Sequence, residues 1–588
     1  MVASKKARRA NADHMRPCQR LRSTTLRQER PCTRLAPRIP TRTQSFFVGG
    51  FIMRRVLLLA TCAALVTAPA LGQSVDRTQT TRIIDEGIAH SEVMLTAEHL
   101  ADVIGPRMTN SPAMRTAETW TQAKFTEWGL KNVHKEGFDF GRGWSIVSSS
   151  VKMLTPRPIQ LTAIPIAWTP GTNGPIAAPV IVAPISRVRD FDKWRGKLSG
   201  KIVMVTLPNT GSEPGEAPFQ RYTGEELGKL DQYQQPTYNP EAADRRLKRL
   251  DFAKKLDAFL KSEGAVAMAT MAYRDGKLVS GEGYTFGVGD TPSLPAVQIA
   301  AEDYRRLARL AKIGPAPTVE INSDVRFDDS DTRAYNVIAE IPGSDPKAGY
   351  VMAGAHLDSW VAGDGAADNG AGSAMVMEAA RIIAKTGIRP KRTIRFALWA
   401  GEEQGLLGSL SYVESHLATR GNPSDPKQTG LALYMGWSNR WPITPKPGWG
   451  ELAAYFNLDN GSGKVRGIYA ENNPAVVPIF REWLAPFGPM GAKDVVIRTT
   501  GGTDHVFMQA VGAPGFQFIQ DPLDYDSRVH HSSIDTFDHL KGNDMRQAST
   551  ILASFLVNAA NAEKALPRPP LPTKPAVTEP FAYSDEDE

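Results

Sequence analysis

Five short motifs bring together side chains able to bind metal and move protons. They read GAHLDS (His356, Asp358), GAADNGAGS (Asp368), WAGEEQGLLGS (Glu402, Glu403), YFNLDNGS (Asp459) and VHHSSIDT (His530, His531, Asp535). The donors are imidazole nitrogens and carboxylate oxygens, with no thiolate. That set suits a zinc pair engaged in hydrolysis better than a structural zinc site, which favours cysteine.

The spacing suggests a division of labour. In an extended segment Leu357 faces away from its neighbours, so His356 and Asp358 share a side. His356 can then donate a ring nitrogen to metal while Asp358 accepts the other N–H and fixes the tautomer. Asp368 reads alone as a helix N-cap; among the other motifs it reads as a carboxylate between two cations, because zinc ions about 3.5–4 Å apart need shared negative charge. Glu402 and Glu403 follow an apolar run, and two adjacent acids beside a cation pair can do different work. One ligates, and the other takes a proton from water and returns it to a leaving amine. Asp459 sits in an Asp-Asn-Gly turn, and residue type alone does not choose between His530 and His531.

These residues need a scaffold that brings strand ends together. From Tyr335 onward strands and helices alternate: strands over 336–341, 349–355, 393–400, 452–458, 494–498 and 516–519, and helices over 370–385, 475–485 and 544–562. Alternation of this kind predicts a doubly wound α/β sheet. Ligands in such sheets gather outside the carboxyl ends of the strands. His356, Glu402, Glu403 and Asp459 each follow a strand, Asp368 precedes a helix, and His531 lies in the loop after 516–519. Upstream, residues 81–130 have a helical pattern broken at Gly105-Pro106 and at Asn110-Ser111-Pro112, which offers caps. Residues from about 145 to 325 are rich in Pro, Gly and short Val/Ile runs, with one charged helical segment over 241–261, and read as a separate, mostly β module.

Composition narrows the class of protein. At 588 residues the chain exceeds one compact core. The formal charge of +7 sits at the front: residues 1–52 hold 12 Lys or Arg against 2 acids, Arg54 and Arg55 follow, and residues 73–588 carry 55 basic against 60 acidic side chains. The body is mildly acidic and gives no support to nucleic-acid binding. Met53-Arg54-Arg55, the apolar run over 56–66 and the small residues to Gly72 form the three regions of a secretory signal peptide. That run is shorter than the roughly 20 residues needed to span a bilayer, so no permanent membrane anchor is expected. Cys18, Cys32 and Cys62 all lie before the cleavage point, which fits a secreted or periplasmic protein held by its core rather than by disulfides. The expected divisions are a basic leader over 1–52, a signal peptide over 53–72, the first part of the main domain over 73–149, an insert over 150–325, the main domain over 326–565 and a Pro-rich acidic tail over 566–588.

With these motifs in order, the chain resembles the di-zinc exopeptidases of clan MH, the group containing bacterial zinc aminopeptidases, carboxypeptidase Q and glutamate carboxypeptidase. The resemblance runs from about Arg107 to Ala565. It implies two zinc ions per chain, one held by His356, Asp368 and Asp459 and the other by Asp368, Glu403 and His531, with Asp368 shared. His531 is preferred to His530 because it stands, with Ser532, where the family has a His-Thr pair. Glu402 takes the general acid/base position, and Asp358 and Asp535 take supporting ones. The insert, with LSGKIVMV near its centre, resembles a protease-associated domain. GGTDHVFMQAVGAP (Asp504, His505) resembles the family's substrate-side segment, but Gly502 stands where some aminopeptidases have a carbonyl-polarising Tyr. Tyr525, His505 and His530 are the candidates for that work. The implied activity is hydrolysis of peptides at a chain end, with aminopeptidase, carboxypeptidase and dipeptidase action all open and a homodimer admitted as the assembly. Two alternatives stand beside it, a single-zinc glutaminyl cyclase and a non-catalytic binding module on the same scaffold.

Overall fold

The computed structural model describes residues 75–211, 217–234, 240–421, 434, 436–437, 440–571 and 573. The leader, the signal peptide and most of the tail lie outside these residues. Two eight-stranded sheets organise the described chain.

The first sheet has the strand order Lys131–Asp139, Arg333–Ile341, Thr393–Trp399, Tyr350–His356, Leu452–Asn457, Gly515–Gln520, Val465–Tyr469 and Asp494–Val496. The four strands from Thr393–Trp399 to Gly515–Gln520 are mutually parallel, while the strands at either side introduce antiparallel pairs. Every residue of Tyr350–His356 is buried, as expected for a strand covered on both faces. Alternate residues enter different cores: Val351, Ala353 and Ala355 join one cluster, and Tyr350 and Met352 another. Helices Ala371–Thr386 and Gly542–Asn561 supply the first core, and Leu407–Tyr412 and His505–Ala510 the second. The architecture is therefore a mixed α/β sheet with helices on both faces.

The expected strands and helices from 336 onward are present, with ends displaced by a few residues. Two further strands complete the sheet. Lys131–Asp139 is charged and half exposed and pairs antiparallel at the edge, where a burial pattern is weak. Val465–Tyr469 is only five residues long. Upstream, Ser111 caps the helix Pro112–Glu127 by accepting from the Met114 N–H, so the break at Asn110-Ser111-Pro112 works as a helix start.

The second sheet is built from residues between Gly143 and Asp328. Its long antiparallel pair Gly143–Met153 and Thr318–Asp328 continues into a parallel run of Ile176–Val182, Ile202–Met204, Ala267–Met271 and Ala296–Ile299. Helices Pro240–Ser262 and Ala301–Ile313 accompany it.

The connection order places the site. From Tyr350–His356 the chain moves to one side for Thr393–Trp399 and then to the other for Leu452–Asn457. The strand order reverses between Tyr350–His356 and Leu452–Asn457, and such a switch point leaves a crevice at the carboxyl ends. His356 and Asp459 flank that crevice.

Candidate metal centre

The side chains of all five motifs converge at the crevice. His356 Nε2 lies 3.4 Å from Asp368 Oδ1, 3.4 Å from Asp459 Oδ1 and 3.8 Å from Glu402 Oε2. His531 Nε2 lies 3.4 Å from Asp368 Oδ2 and 3.1 Å from Glu403 Oε2. Asp368 thus presents one oxygen to each imidazole. Three overlapping groups have the closeness of metal-donor sets: His356 with Asp368 and Glu403, His356 with Glu402 and Asp459, and Asp368 with His530 and His531.

The surrounding chain fixes these donors in place. His356 Nδ1 sits 3.0 Å from the main-chain carbonyl of Asp358 and 3.6 Å from its carboxylate, so the carbonyl is the nearer acceptor. The Asp358 carboxylate instead accepts from Thr109 Oγ at 2.8 Å and from the N–H groups of Glu402 and Glu403, both at 3.3 Å. It therefore holds the turn that carries the glutamate pair. Asp535 accepts from the N–H groups of Ala367 and Asp368. Asn369, not Asp368, caps the following helix, accepting from the Gly372 N–H at 2.9 Å. A Cβ on Gly372 would lie 2.3 Å from the Leu458 carbonyl, so this glycine lets the helix start press against the Asp459 loop. Arg107, fully buried, donates to the carbonyls of Leu357, Leu100, Gly105, Asp364 and Gly365 and braces the loop between His356 and Asp368.

The electrostatics call for added positive charge. Burial first, then repulsion from Asp368, pushes Glu403 up to about 8. Burial likewise raises Glu402 well above the carboxylate range, with Asp459 and Asp504 adding to the effect against the pull of His356. Burial opposes protonation of His356, yet Asp459 and Glu402 raise it well above the ordinary imidazole value; Glu403 and Glu282 do the same to His531. Among the described residues, Asp368 Oδ2, both Glu403 oxygens and Asp459 Oδ1 are buried without a hydrogen bond. Buried polar atoms of this kind are costly unless something satisfies them. Carboxylate oxygens that crowd together, repel one another and lack hydrogen bonds, beside two imidazoles, fit zinc.

The remaining predicted residues fall into two sets. His530 stacks on His531 with ring centroids 3.7 Å apart and places Nε2 3.7 Å from Asp368, and Tyr525 packs against His530 at 5.0 Å. Both border the donors. His505 is fully buried, with Nε2 3.2 Å from the Thr500 carbonyl and 3.4 Å from Glu471; it points to this neighbouring pair. Asp504, also buried, is pushed up to about 8 by burial and then by Asp459 and Asp358, against the pull of His356 and Ser409.

Five residues here were not singled out in the sequence. Glu282, from the second sheet's module, sits 3.2 Å from His531 Nδ1. Tyr284 packs edge-on to Trp360, which in turn faces His531. Arg107 and Thr109 come from the amino-terminal segment. No local pattern marks them, because their roles exist only after distant segments meet. Glu282 and Tyr284 also line a cavity of about 1060 Å³, together with Phe140, Leu250, Asp257 and Phe286.

A buried cluster of imidazoles and carboxylates at the switch point of an α/β sheet is a site suited to metal-dependent hydrolysis. Comparison with known proteins narrows the class. Residues 336–556 match Peptidase family M28. Carboxypeptidase Q of Bos taurus is 28% identical over 472 residues, covering 80% of this chain and 85% of that protein. A Peptidase M28 precursor from Shewanella amazonensis SB2B shares the fold with a TM-score of 0.59 at 23% identity, covering 85% of this chain and 100% of that one. A zinc aminopeptidase from Bacillus subtilis does so with a TM-score of 0.50 at 18% identity, over 81% and 97%. The chain is a metallo-exopeptidase: residues 336–556 match Peptidase family M28, and the likeness to carboxypeptidase Q extends over most of its length.

Proposed function

We propose that the protein is an exported two-zinc exopeptidase that removes residues from the ends of peptides. The observation that carries this reading is the placement of Asp368, with one oxygen 3.4 Å from His356 and the other 3.4 Å from His531. His356, Asp368 and Asp459 would hold one zinc, and Asp368, Glu403 and His531 the other. When bound, zinc supplies Lewis-acid polarisation of a peptide carbonyl and a positive field that eases loss of a proton from water.

The chain's own residues do the rest. Glu402 keeps a little of its side chain exposed, 11%, and is the acid best placed to meet substrate. Its carboxylate takes a proton from the attacking water and returns it to the departing amine. Asp358 holds the turn that aims Glu402 and Glu403. His530 and Tyr525 border the same space and are the groups at hand to meet the substrate carbonyl. The second sheet is read as a protease-associated insert that shapes the mouth, supported by Tyr284 and the shared cavity. Carboxypeptidase Q, similar over most of the chain, supports peptides as substrates.

The test is a mass-spectrometric digest of a mixed peptide library with zinc-loaded enzyme, together with elemental analysis. Stepwise loss of single residues from one terminus, or cleavage of dipeptides alone, with two zinc ions per chain, is the expected result. Internal cleavage, or turnover undiminished after a chelator, would sink the reading. Conversion of amino-terminal glutamine to its cyclic form with one zinc per chain would favour the cyclase alternative.

A further inference from the structure

The two imidazoles of the centre are supported from different places. Nδ1 of His356 faces the carbonyl of Asp358, two residues along its own loop. Nδ1 of His531 faces Glu282, 249 residues away in sequence and part of the second sheet's module. An imidazole has only two nitrogens, and Nε2 of His531 is turned toward Asp368 and Glu403. With Nε2 given to zinc, Nδ1 would carry the proton and donate it to Glu282.

Glu282 is built into this position. Gly281 has φ +67, and a Cβ there would lie 2.9 Å from the Pro165 carbonyl; a Cβ on Gly283 would lie 2.3 Å from the Ala167 carbonyl. The Gly-Glu-Gly segment therefore lies flat on the chain over 165–167, where a larger residue on either side of Glu282 would lift it away. Nearby contacts tie the same two segments together. Ser533 N–H donates to the Val279 carbonyl at 2.9 Å, and Arg274 donates to the His530 carbonyl. His531 itself has φ +53, a conformation that costs a β-carbon residue energy and persists only where the surroundings impose it.

We propose that Glu282 is the positioning carboxylate for His531, and that the inserted module thereby sets the affinity of the second metal position. A carboxylate behind a metal-bound imidazole fixes the ring's orientation and raises its basicity, and losing such a partner typically weakens metal binding 10–100-fold. The first metal position, supported within its own loop, is independent of the insert. This inference rests on the two-zinc reading.

The test is zinc titration of apo full-length protein against a competing chelator, read as two stepwise affinities. Glu282→Ala should weaken one of the two steps about 10–100-fold and leave the other unchanged. Glu282→Gln should lose less, because its amide oxygen accepts the same hydrogen bond without the charge. Arg274→Ala loosens the same loop without touching the imidazole, and should leave both steps near wild type. Unchanged binding in Glu282→Ala overturns the inference, as does an equal loss in Arg274→Ala. Wild-type protein that binds fewer than two zinc ions overturns the two-zinc reading and the inference with it, so the two failures are told apart by the wild-type titration.

Discussion

Asp535 grips the backbone of Asp368, not its side chain: its two carboxylate oxygens accept from the N–H of Ala367 at 2.6 Å and of Asp368 at 3.0 Å. The oxygens of Asp368 are thereby left free to face the two imidazoles. Asp535→Ala would leave these buried N–H groups without partners, at about 1–3 kcal/mol each. Thermal melting of the apo protein should show the loss, and zinc content should fall with it. A variant with wild-type melting would mean that the clamp is dispensable.

Asp368→Ala acts on the donors directly. The purified variant should carry little or no zinc by elemental analysis while keeping its fold by circular dichroism. Retention of the full metal complement would remove Asp368 from the shared position.

Glu402→Gln keeps the shape and removes the proton exchange. Metal content and melting temperature should stay at wild-type values, while kcat falls by about 10²–10⁴-fold, the usual scale of general acid–base assistance. Near-normal turnover would return the role to another group.

Arg107→Lys tests the brace under the His356 loop. A lysine cannot reproduce a planar fork aimed at five carbonyls, so charge is kept while geometry is lost. Destabilisation of roughly 3 kcal/mol or more is expected from the orphaned buried acceptors, visible as a lower denaturant midpoint. A midpoint within error of wild type would show that the loop holds itself.

Glu136, on the edge strand, gives a pH signature away from the centre. Burial disfavours its charge, but hydrogen bonds with His416 and His134 outweigh that and hold its carboxyl below the usual range. Because the folded state has the lower pKa, its contribution is fully present above the unfolded value near 4.5 and fades as pH falls through the lower folded value. Glu136→Gln should therefore flatten the acid limb of the stability profile. An identical acid limb in both proteins would assign the contribution elsewhere.

Most of the candidate donors were legible in the sequence because they follow an apolar strand or precede a helix, and those patterns are local; His531, in a loop, was marked by the resemblance instead. His356 after the apolar 350–355 run and Glu402 after TIRFALWA are cases where burial and chemistry meet within ten residues. The edge strand Lys131–Asp139 was not legible, since its residues are charged and one face meets solvent. The acceptor for His356 Nδ1 also departs from the expectation: the main-chain carbonyl of Asp358 is closer than its carboxylate, because that carboxylate is drawn to Thr109 and the Glu402 turn. Glu282 shows the other limit. Nothing in GEGY marks a partner for an imidazole, and the pairing exists only once residues 282 and 531 are folded together.

The strand pair that frames the second sheet has a consequence for how such a molecule can be assembled. Asp139 pairs with Arg333 in one sheet, and Gly143 pairs with Asp328 in the other, so the module leaves and re-enters the main domain at neighbouring points. A unit whose two ends meet can be gained, exchanged or deleted through a short turn without breaking the host sheet. In this chain such an excision would not be silent, because the carboxylate behind His531 would leave with it.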